Sequence, residues 1–287
     1  YKRQDMERTS RRIAQGSLSL RLDTPVTDDE IGHLALSFNQ MVAQLEAAFK
    51  NQKQFVADVS HELRTPLTAL SGSLEMLLIG ADRGDIEASR SLERNMYAEV
   101  QRMHRLVEDL LALTRLDEGK MVLREDTINV RTVIDKVYDQ AQQLAHGQEI
   151  LKEIAQDTPL VRADSDRLQQ VLLNVVENAL KFTSTDGRVE LMVYKEGQTA
   201  AIIEVRDTGK GIPPEALPYV FDRFYRADPA RSRLPQSVSG NRLGLAIAKE
   251  LIEAQGGSIS ISSTPGKGTT VTIRLRSIAA TPAPQNI

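Results

Sequence analysis

The stretch "FVADVSHELRTPLTAL" (residues 55–70) sets a histidine beside a glutamate and follows them with a proline inside what otherwise reads as a helix. Phe55, Val59, Leu63, Leu67, Leu70, Leu74 and Leu77 recur at steps of four and three, the spacing of an amphipathic helix. His61 lies two positions from both Val59 and Leu63, which at about 100° per residue turns it roughly 200° from each. The ring therefore belongs to the outer face, and Thr65 and Thr68 continue that face one and two turns on. Pro66 removes an N–H, leaves the carbonyl of Glu62 without its helical donor and crowds it. Such a residue costs about 3 kcal/mol in a helix interior, and a bend beside His61 is expected. A lone histidine on such a face is an ordinary surface residue. His61, Glu62, Thr65 and Pro66 together read instead as a site.

Composition limits what that site can be. The 287 residues, 41% of them apolar, suffice for two or three domains. A net charge of −3 leaves no electrostatic footprint for nucleic acid. With no cysteine there are no disulfides and no thiolate metal sites, which suits a reducing compartment. No apolar run reaches the length of a membrane span. The basic start, "YKRQDMERTSRR", lacks an initiator Met. It reads either as a polar surface helix or as the cytoplasmic flank of a membrane helix lying upstream of residue 1.

Outward from the histidine, the N-terminal side is helical. Residues 1–15 predict a helix ended by Gly16, and "GSLSLRLDTPVT" (16–27) a connector. Beyond Asp28 and Asp29, the positions Ile31, Leu34, Phe38, Met41, Leu45, Ala48, Gln52, Phe55 and Val59 alternate steps of three and four, a heptad seam. The next seam position is Glu62 while the apolar residue is Leu63, so the register slips by one at the histidine. After a turn at "GADRGD" (80–85), Leu92, Met96, Val100, Met103, Leu106, Leu110 and Leu113 form the stripe of a second helix that ends near Gly119. One helical hairpin buries little, so pairing two copies into a four-helix bundle is the expected solution.

After Gly119 the pattern changes. Alternating strands are predicted at 187–194, 200–206, 257–263 and 269–276, and helices near 131–145, 165–181 and 243–255. This is an α+β domain with helices on one face of a sheet. "NVVENALKF" (174–182) sets Asn174, Glu177, Asn178 and Lys181 on one helix face, opposite Val171, Leu172, Val175 and Val176. Two carboxamides, a carboxylate and an ammonium suit a hard cation with phosphate; a solvated face with a Glu177–Lys181 pair is the plainer alternative. "EVRDTGKGIP" (204–213) ends a strand at Asp207, and Gly209 and Gly211 permit close backbone approach to a flat ligand. "SGNRLGLAI" (239–247) is a glycine-containing loop opening a helix, the geometry that holds phosphate. "TPGKGTTV" (264–271) reads as a tight turn entering a strand, and "AATPAPQNI" as a disordered tail.

Six of these stretches, in this order, resemble the boxes of the bacterial sensor histidine kinases. "SHELRTPL" resembles the H box, "NVVENALKF" the N box, "DTGKGIP" the first glycine box, "FDRFYR" (221–226) the F box, "GNRLGL" the second glycine box and "GKGT" the third. "DDEIGHLALSFNQM" (28–41) resembles the second helix of a HAMP signal-relay domain. The resemblance implies a cytoplasmic portion at the inner side of a bacterial membrane. It comprises a HAMP domain at 1–49, a dimerising phosphoacceptor hairpin at 50–119, an α+β sandwich ATP-binding domain of the GHKL (Bergerat) type at 120–278 and a tail at 279–287.

By the same resemblance, His61 accepts the γ-phosphoryl of ATP, Glu62 orients its ring and Thr65 aids phosphate removal from the partner, a response regulator. Asn178 ligates Mg2+ with Asn174 and Glu177 near it, and Lys181 meets the phosphates. Asp207 accepts from the adenine amino group in a pocket shaped by Gly209 and Gly211. Phe221 and Phe224 anchor a lid over residues 225–240. Gly240, Arg242, Leu243 and Gly244 border the phosphates, and Thr269 stands in the third glycine box. One position departs from the family pattern: Gly240-Asn241-Arg242-Leu243-Gly244-Leu245 carries an arginine where glycine is usual. The alternative function is therefore a dimeric signalling scaffold with weak or no ATP turnover. An ATPase of the same fold without a phosphoacceptor leaves the histidine helix unexplained.

Overall fold

The computed structural model describes residues 7–9, 11–13, 16–22, 30–80, 86–197, 199–225 and 243–278. Residues 226–240 of the lid expected at 225–240, with Gly240 and Arg242, residues 81–85 of the turn expected at 80–85 and the tail expected at 279–287 lie outside them. Two compact units divide the chain, Tyr1–Val100 and Gln101–Ile287. Among the described residues no helix is long and apolar enough to cross a membrane.

The first unit is helical. Helix α1 runs unbroken over Glu30–Gly80 with Pro66 inside it. Near its start, small residues make an inner face: Gly32, Ala35 and Val42 are buried, as are Ile13 and Leu22 of the preceding segment. The Asn39 carboxamide pins that segment, accepting from Leu22 N and donating to Leu22 O, both at 2.8 Å.

The predicted seam is not covered by the chain's own described residues. Leu34 is 64% exposed, and Met41 and Leu45 are exposed with it. The chain's own buried face is the small-residue one, which admits close approach of the connector. The predicted slip at the histidine also changes meaning. Glu62 and Pro66 are buried while Leu67 is 51% exposed. One face, through Phe55, Val59, Glu62 and Pro66, keeps its heptad spacing. Leu63, Leu67, Leu70 and Leu74 belong to a second face that one chain does not cover.

Helix α2, Ile86–Asp117, straddles the two units. Beyond it the second unit opens with β1 (Asp126–Asn129), α3 (Val130–Leu144), β2 (Glu149–Ile154), β3 (Leu160–Ala163) and α4 (Ser165–Phe182). It continues with β4 (Arg188–Glu196), β5 (Ala200–Asp207), α5 (Gly244–Ala254), β6 (Ser258–Thr264) and β7 (Gly268–Arg276). Caps fix where the helices start. Asn129 accepts from Arg131 N at 3.0 Å to open α3, and Asp164 accepts from Asp166 N and Arg167 N to open α4.

The main sheet has the order β2-β4-β5-β7-β6, with β2 parallel to β4 and the rest antiparallel. β1 and β3 form a separate antiparallel pair. Alternate residues of the central strands, Val189, Leu191 and Val193, then Ala201, Ile203 and Val205, then Val271, Ile273 and Leu275, are buried. They form one core with the apolar faces of α3, α4 and α5. The opposite sheet face is more polar, with Arg274 Nε donating to Glu196 at 2.8 Å and Tyr194 to Glu204 at 3.1 Å, although Ala200 and Ile202 of β5 are buried there. The α+β fold with helices on one face is as expected.

The sequence pattern predicted β4–β7 and missed β1, β2 and β3. Each missed strand is short or at an edge, and β2 buries only Ile150 fully, so its sequence carries no alternation. The end of α2 also holds more than was expected. Leu113 is fully buried in the core of the second unit, with Leu106, Leu110 and Leu116 packed against it. The lower stripe of the second helix is thus part of the α+β body.

Candidate active site

The H-box side chains diverge around α1. His61 and Thr65 are exposed and Glu62 is buried, as a turn of about 100° between neighbours requires. Thr65 Oγ1 donates to His61 O at 3.3 Å and Thr68 Oγ1 to Arg64 O at 2.9 Å, so both hydroxyls turn back onto the helix. A shallow groove of about 420 Å3 runs along α1 beside the histidine, lined by Ser60, Leu63, Arg64, Leu67, Thr68 and Ser71.

In the second unit, α4 organises the predicted N-box residues. Glu177 is exposed, and Asn174, Asn178 and Lys181 are half-buried. Asn174 Nδ2 donates to Gly244 O at 3.3 Å, tying α4 to the first residue of α5. Leu243 and Gly244 are buried at that helix start, and Ile247 N closes the first turn on Leu243 O at 2.8 Å. A helix N-terminus with outward N–H groups attracts anions. At the other end of the row, Lys210 N donates to Phe182 O at 3.3 Å. From Asn174 to Phe182 the helix rises roughly 12 Å at 1.5 Å per residue.

Asp207 ends β5 almost fully buried. Its Oδ1 accepts from Gly209 N at 2.8 Å and Thr269 N at 3.2 Å. Burial raises its pKa above the ordinary carboxylate value, and the two N–H donors oppose the rise. Both bonds fall on Oδ1, and among the described residues Oδ2 is left for another donor. Ser263 joins the first and third glycine boxes: its hydroxyl accepts from Ile212 N and donates to Gly268 O, both at 2.8 Å, and lies 3.0 Å from Thr269 Oγ1.

The glycines serve a purpose the sequence did not show. A Cβ on Gly209 would lie 2.5 Å from Phe182 O, and one on Gly211, whose φ is +69°, would lie 2.2 Å from Thr264 O. The close approach is first to the protein's own backbone, which packs the loop between the end of α4 and the β6–β7 turn.

Three features escaped the sequence. Phe182 is 44% exposed, its carbonyl borders Gly209, and its ring has Lys181 Nζ at 5.0 Å and Lys210 Nζ at 4.8 Å from the centroid. Its signal was an aromatic closing an otherwise aliphatic helix. Asp109 of α2 is buried near Glu177. Burial first, then Glu108 and Glu177, push its pKa up to about 7 against the opposing Arg105. Arg223 in the F box forms a two-pronged ion pair with Asp117, at 2.7 and 2.5 Å. Its neighbour Phe224, packed on the core, has φ of +62°. Phe221 is half-buried, with Lys249 Nζ at 6.0 Å from its ring.

Known proteins share this arrangement. Residues 4–47 match the HAMP domain, 51–119 the His Kinase A (phospho-acceptor) domain, and 163–278 the histidine kinase-, DNA gyrase B- and HSP90-like ATPase. The chain is 37% identical over 235 residues to a Staphylococcus epidermidis protein named sensor protein kinase WalK, covering 82% of this chain and 38% of that one. It is 35% identical over 261 residues to the Staphylococcus aureus signal transduction histidine-protein kinase ArlS, covering 91% and 57%. The solved structure of the Acinetobacter baumannii histidine kinase AdeS superposes with a TM-score of 0.60 at 25% identity, over 76% of this chain and 98% of that one. The chain thus spans well under two thirds of the length of these curated relatives. An exposed histidine on a long helix, a polar row on α4, three domain matches in this order and relatives at 35–37% identity place the chain among the sensor histidine kinases, of which it carries the HAMP, phosphoacceptor and ATPase domains.

Proposed function

We propose that this chain phosphorylates its own His61 from ATP and passes the phosphoryl group to an aspartate of a response regulator. One observation carries the reading: an exposed histidine on one unit and, on the other, a row from the α5 N-terminus through Asn174, Asn178 and Lys181 to Phe182 and Asp207. In the first step an imidazole nitrogen forms a bond to the γ-phosphorus as the bridging P–O bond breaks. ADP leaves, and the ring proton passes to solvent. In the second step the N–P bond breaks as a carboxylate oxygen of the regulator bonds to phosphorus.

The chain's residues act chiefly by positioning and charge compensation. Asp207 Oδ2 accepts from the adenine amino group, and Phe182 offers a face for the base. The backbone at Gly209 and Gly211 keeps that end narrow. Lys181 and the N–H groups at Leu243 and Gly244 receive the phosphates.

Among the described residues no group of three or more acidic, histidine or cysteine side chains could cage a metal. That fits Mg2+ carried by phosphates and water, which asks only one or two protein oxygens. Asn178 supplies one, Asn174 and Glu177 lie along the same helix, and the ion would neutralise phosphate charge. Thr65 shares the face of His61 and would hold a water for removing phosphate from the regulator.

Residues 1–49 relay the signal, 50–119 dimerise and accept the phosphoryl group, and 120–278 bind ATP. The uncovered faces at Leu34, Met41 and Leu45 and at Leu67 and Leu74 fit a second copy. The parent protein is anchored in the membrane with these residues on its cytoplasmic side. The direct test is incubation of the full chain with γ-labelled ATP and Mg2+, followed by addition of a receiver protein. Label stable to base and lost in acid, then moving to the receiver, is expected. Absence of label, or an acid-stable hydroxyl ester, would overturn the reading.

A further inference from the structure

Asp117 is the last residue of α2. A carboxylate there opposes the helix dipole, whose C-terminal end is negative, so local helix stability does not explain it. Its partner lies 106 positions away: Arg223 Nη1 and Nη2 donate to Asp117 Oδ2 and Oδ1 at 2.7 and 2.5 Å. Arg223 Nη2 also lies 3.7 Å from Glu250 Oε1 on α5. A two-pronged guanidinium–carboxylate pair with a second carboxylate is the geometry in which a partly exposed ion pair becomes more than incidental.

The segment that Arg223 belongs to needs such an anchor. Residues 220–225 form single turns, with Asp222 N on Tyr219 O and Tyr225 N on Asp222 O, and no regular element. The next residue, Phe224, holds φ at +62°, a conformation that surrounding contacts must impose on a side-chain-bearing residue. The core contact of Phe224 supplies one anchor and Arg223 the other. Through Glu250 the same guanidinium reaches α5, whose first residue accepts from Asn174. One cation thus joins the end of the helix arriving from the phosphoacceptor region, the F box and the helix that opens at the phosphate end.

We propose that Asp117, Arg223 and Glu250 form a releasable clamp through which the end of α2 positions the F box and α5 for nucleotide binding, with Arg223 as its positioning residue. The clamp rests on the nucleotide site proposed above. Closed, it holds the last turn of α2 on the α+β body. Open, it frees that turn and loosens the phosphate end. By linkage, nucleotide binding favours the closed form by the same factor.

The test uses the full chain, with Arg223→Ala, Asp117→Asn, the double variant and Asp117→Glu. Hydrogen exchange at the amides of Leu113–Asp117 should speed about tenfold in both single variants, as local opening does. Calorimetric Kd for a non-hydrolysable ATP analogue should rise about fivefold, the low end of coupling between sites. The double variant should be no worse than the worse single, and Asp117→Glu should stay near wild type. A purely structural role would instead lower the melting temperature with Kd unmoved. Unchanged exchange in Arg223→Ala overturns the clamp, and faster exchange with unchanged Kd overturns its control of the nucleotide. A wild-type chain that does not bind the analogue overturns the nucleotide site itself, and the control with it.

Discussion

The two units treat their apolar residues in opposite ways. In Gln101–Ile287, residues such as Leu168, Leu172, Leu191, Ile203 and Leu251 are fully buried in one core. In Tyr1–Val100, Leu34, Met41, Leu45, Leu67, Leu74 and Leu78 stand exposed along α1, and the described residues buried there are mostly small or at the connector. The second unit is complete as one chain. The first has a heptad pattern with more apolar faces than one chain can cover, which is what a helix awaiting a partner looks like. The difference matches the division of labour proposed above: nucleotide binding needs one rigid body, whereas a phosphoacceptor must stay accessible while its helix is held by a second copy.

The largest expected effects fall on the complete unit. Asn178→Ala and Asp207→Ala should each reduce histidine labelling by a hundredfold or more, on the order of what loss of one preorganised electrostatic contact does. Light scattering should show the same oligomer as wild type. Normal labelling would mean the row on α4 is not the nucleotide site, and a changed oligomer would mean the units are not independent.

Next come truncations in the two environments. Leu172→Ala should destabilise the second unit by about 2–5 kcal/mol, as a cavity in a closed core does. Leu67→Glu should leave the melting of that unit unchanged and shift the chain from dimer to monomer. A dimer that survives Leu67→Glu breaks the comparison, because the exposed face would then have no partner to lose.

Arg242 lies outside the described residues, so its expectation rests on sequence. Glycine at this position would allow left-handed backbone and close approach to phosphate. Arg242→Gly should therefore tighten binding of an ATP analogue about tenfold, equivalent to roughly 1.4 kcal/mol. Weaker binding would instead make the arginine a phosphate ligand.

The smallest effect expected is that of Asp109. Its pKa is raised to about 7 in the folded chain from 3.8, so between these values the folded state binds more protons than the unfolded. Stability then falls as pH rises through that window, and the contribution is complete below 3.8 and gone above about 7. Asp109→Asn should flatten this dependence and raise the melting temperature at pH 8 by about 2–4 °C, the shift of roughly 1 kcal/mol in a unit of this size. An equal slope with pH in both proteins would mean that Asp109 is not buried beside Glu177.

Much of this was legible in the sequence for physical reasons that can be named. α4 was readable because Val171, Leu172, Val175 and Val176 repeat at helical spacing. β4 and β7 were readable because each alternates across the sheet, and β5 because an apolar run opens it. β1 and β3 were not, since four residues are too few to show a period. The buried Glu62 was read as a break in register because a carboxylate in a seam carries no apolar signal. The site's glycines were read as making room for ligand, while at Gly209 and Gly211 the room is filled first by carbonyls from Phe182 and Thr264, which only tertiary structure brings there. Asp117 and Arg223, far apart in sequence and each unremarkable alone, could be paired only by the fold.

The phosphoacceptor itself decides between a working kinase and a fold that merely resembles one. The full chain and its His61→Ala variant, incubated with γ-labelled ATP and then split between acid and base, give the answer in one gel. Wild type should carry label that base preserves and acid removes, and His61→Ala should carry none. Equal label in His61→Ala, whether on His33, His104, His146 or a hydroxyl, would contradict the assignment of His61.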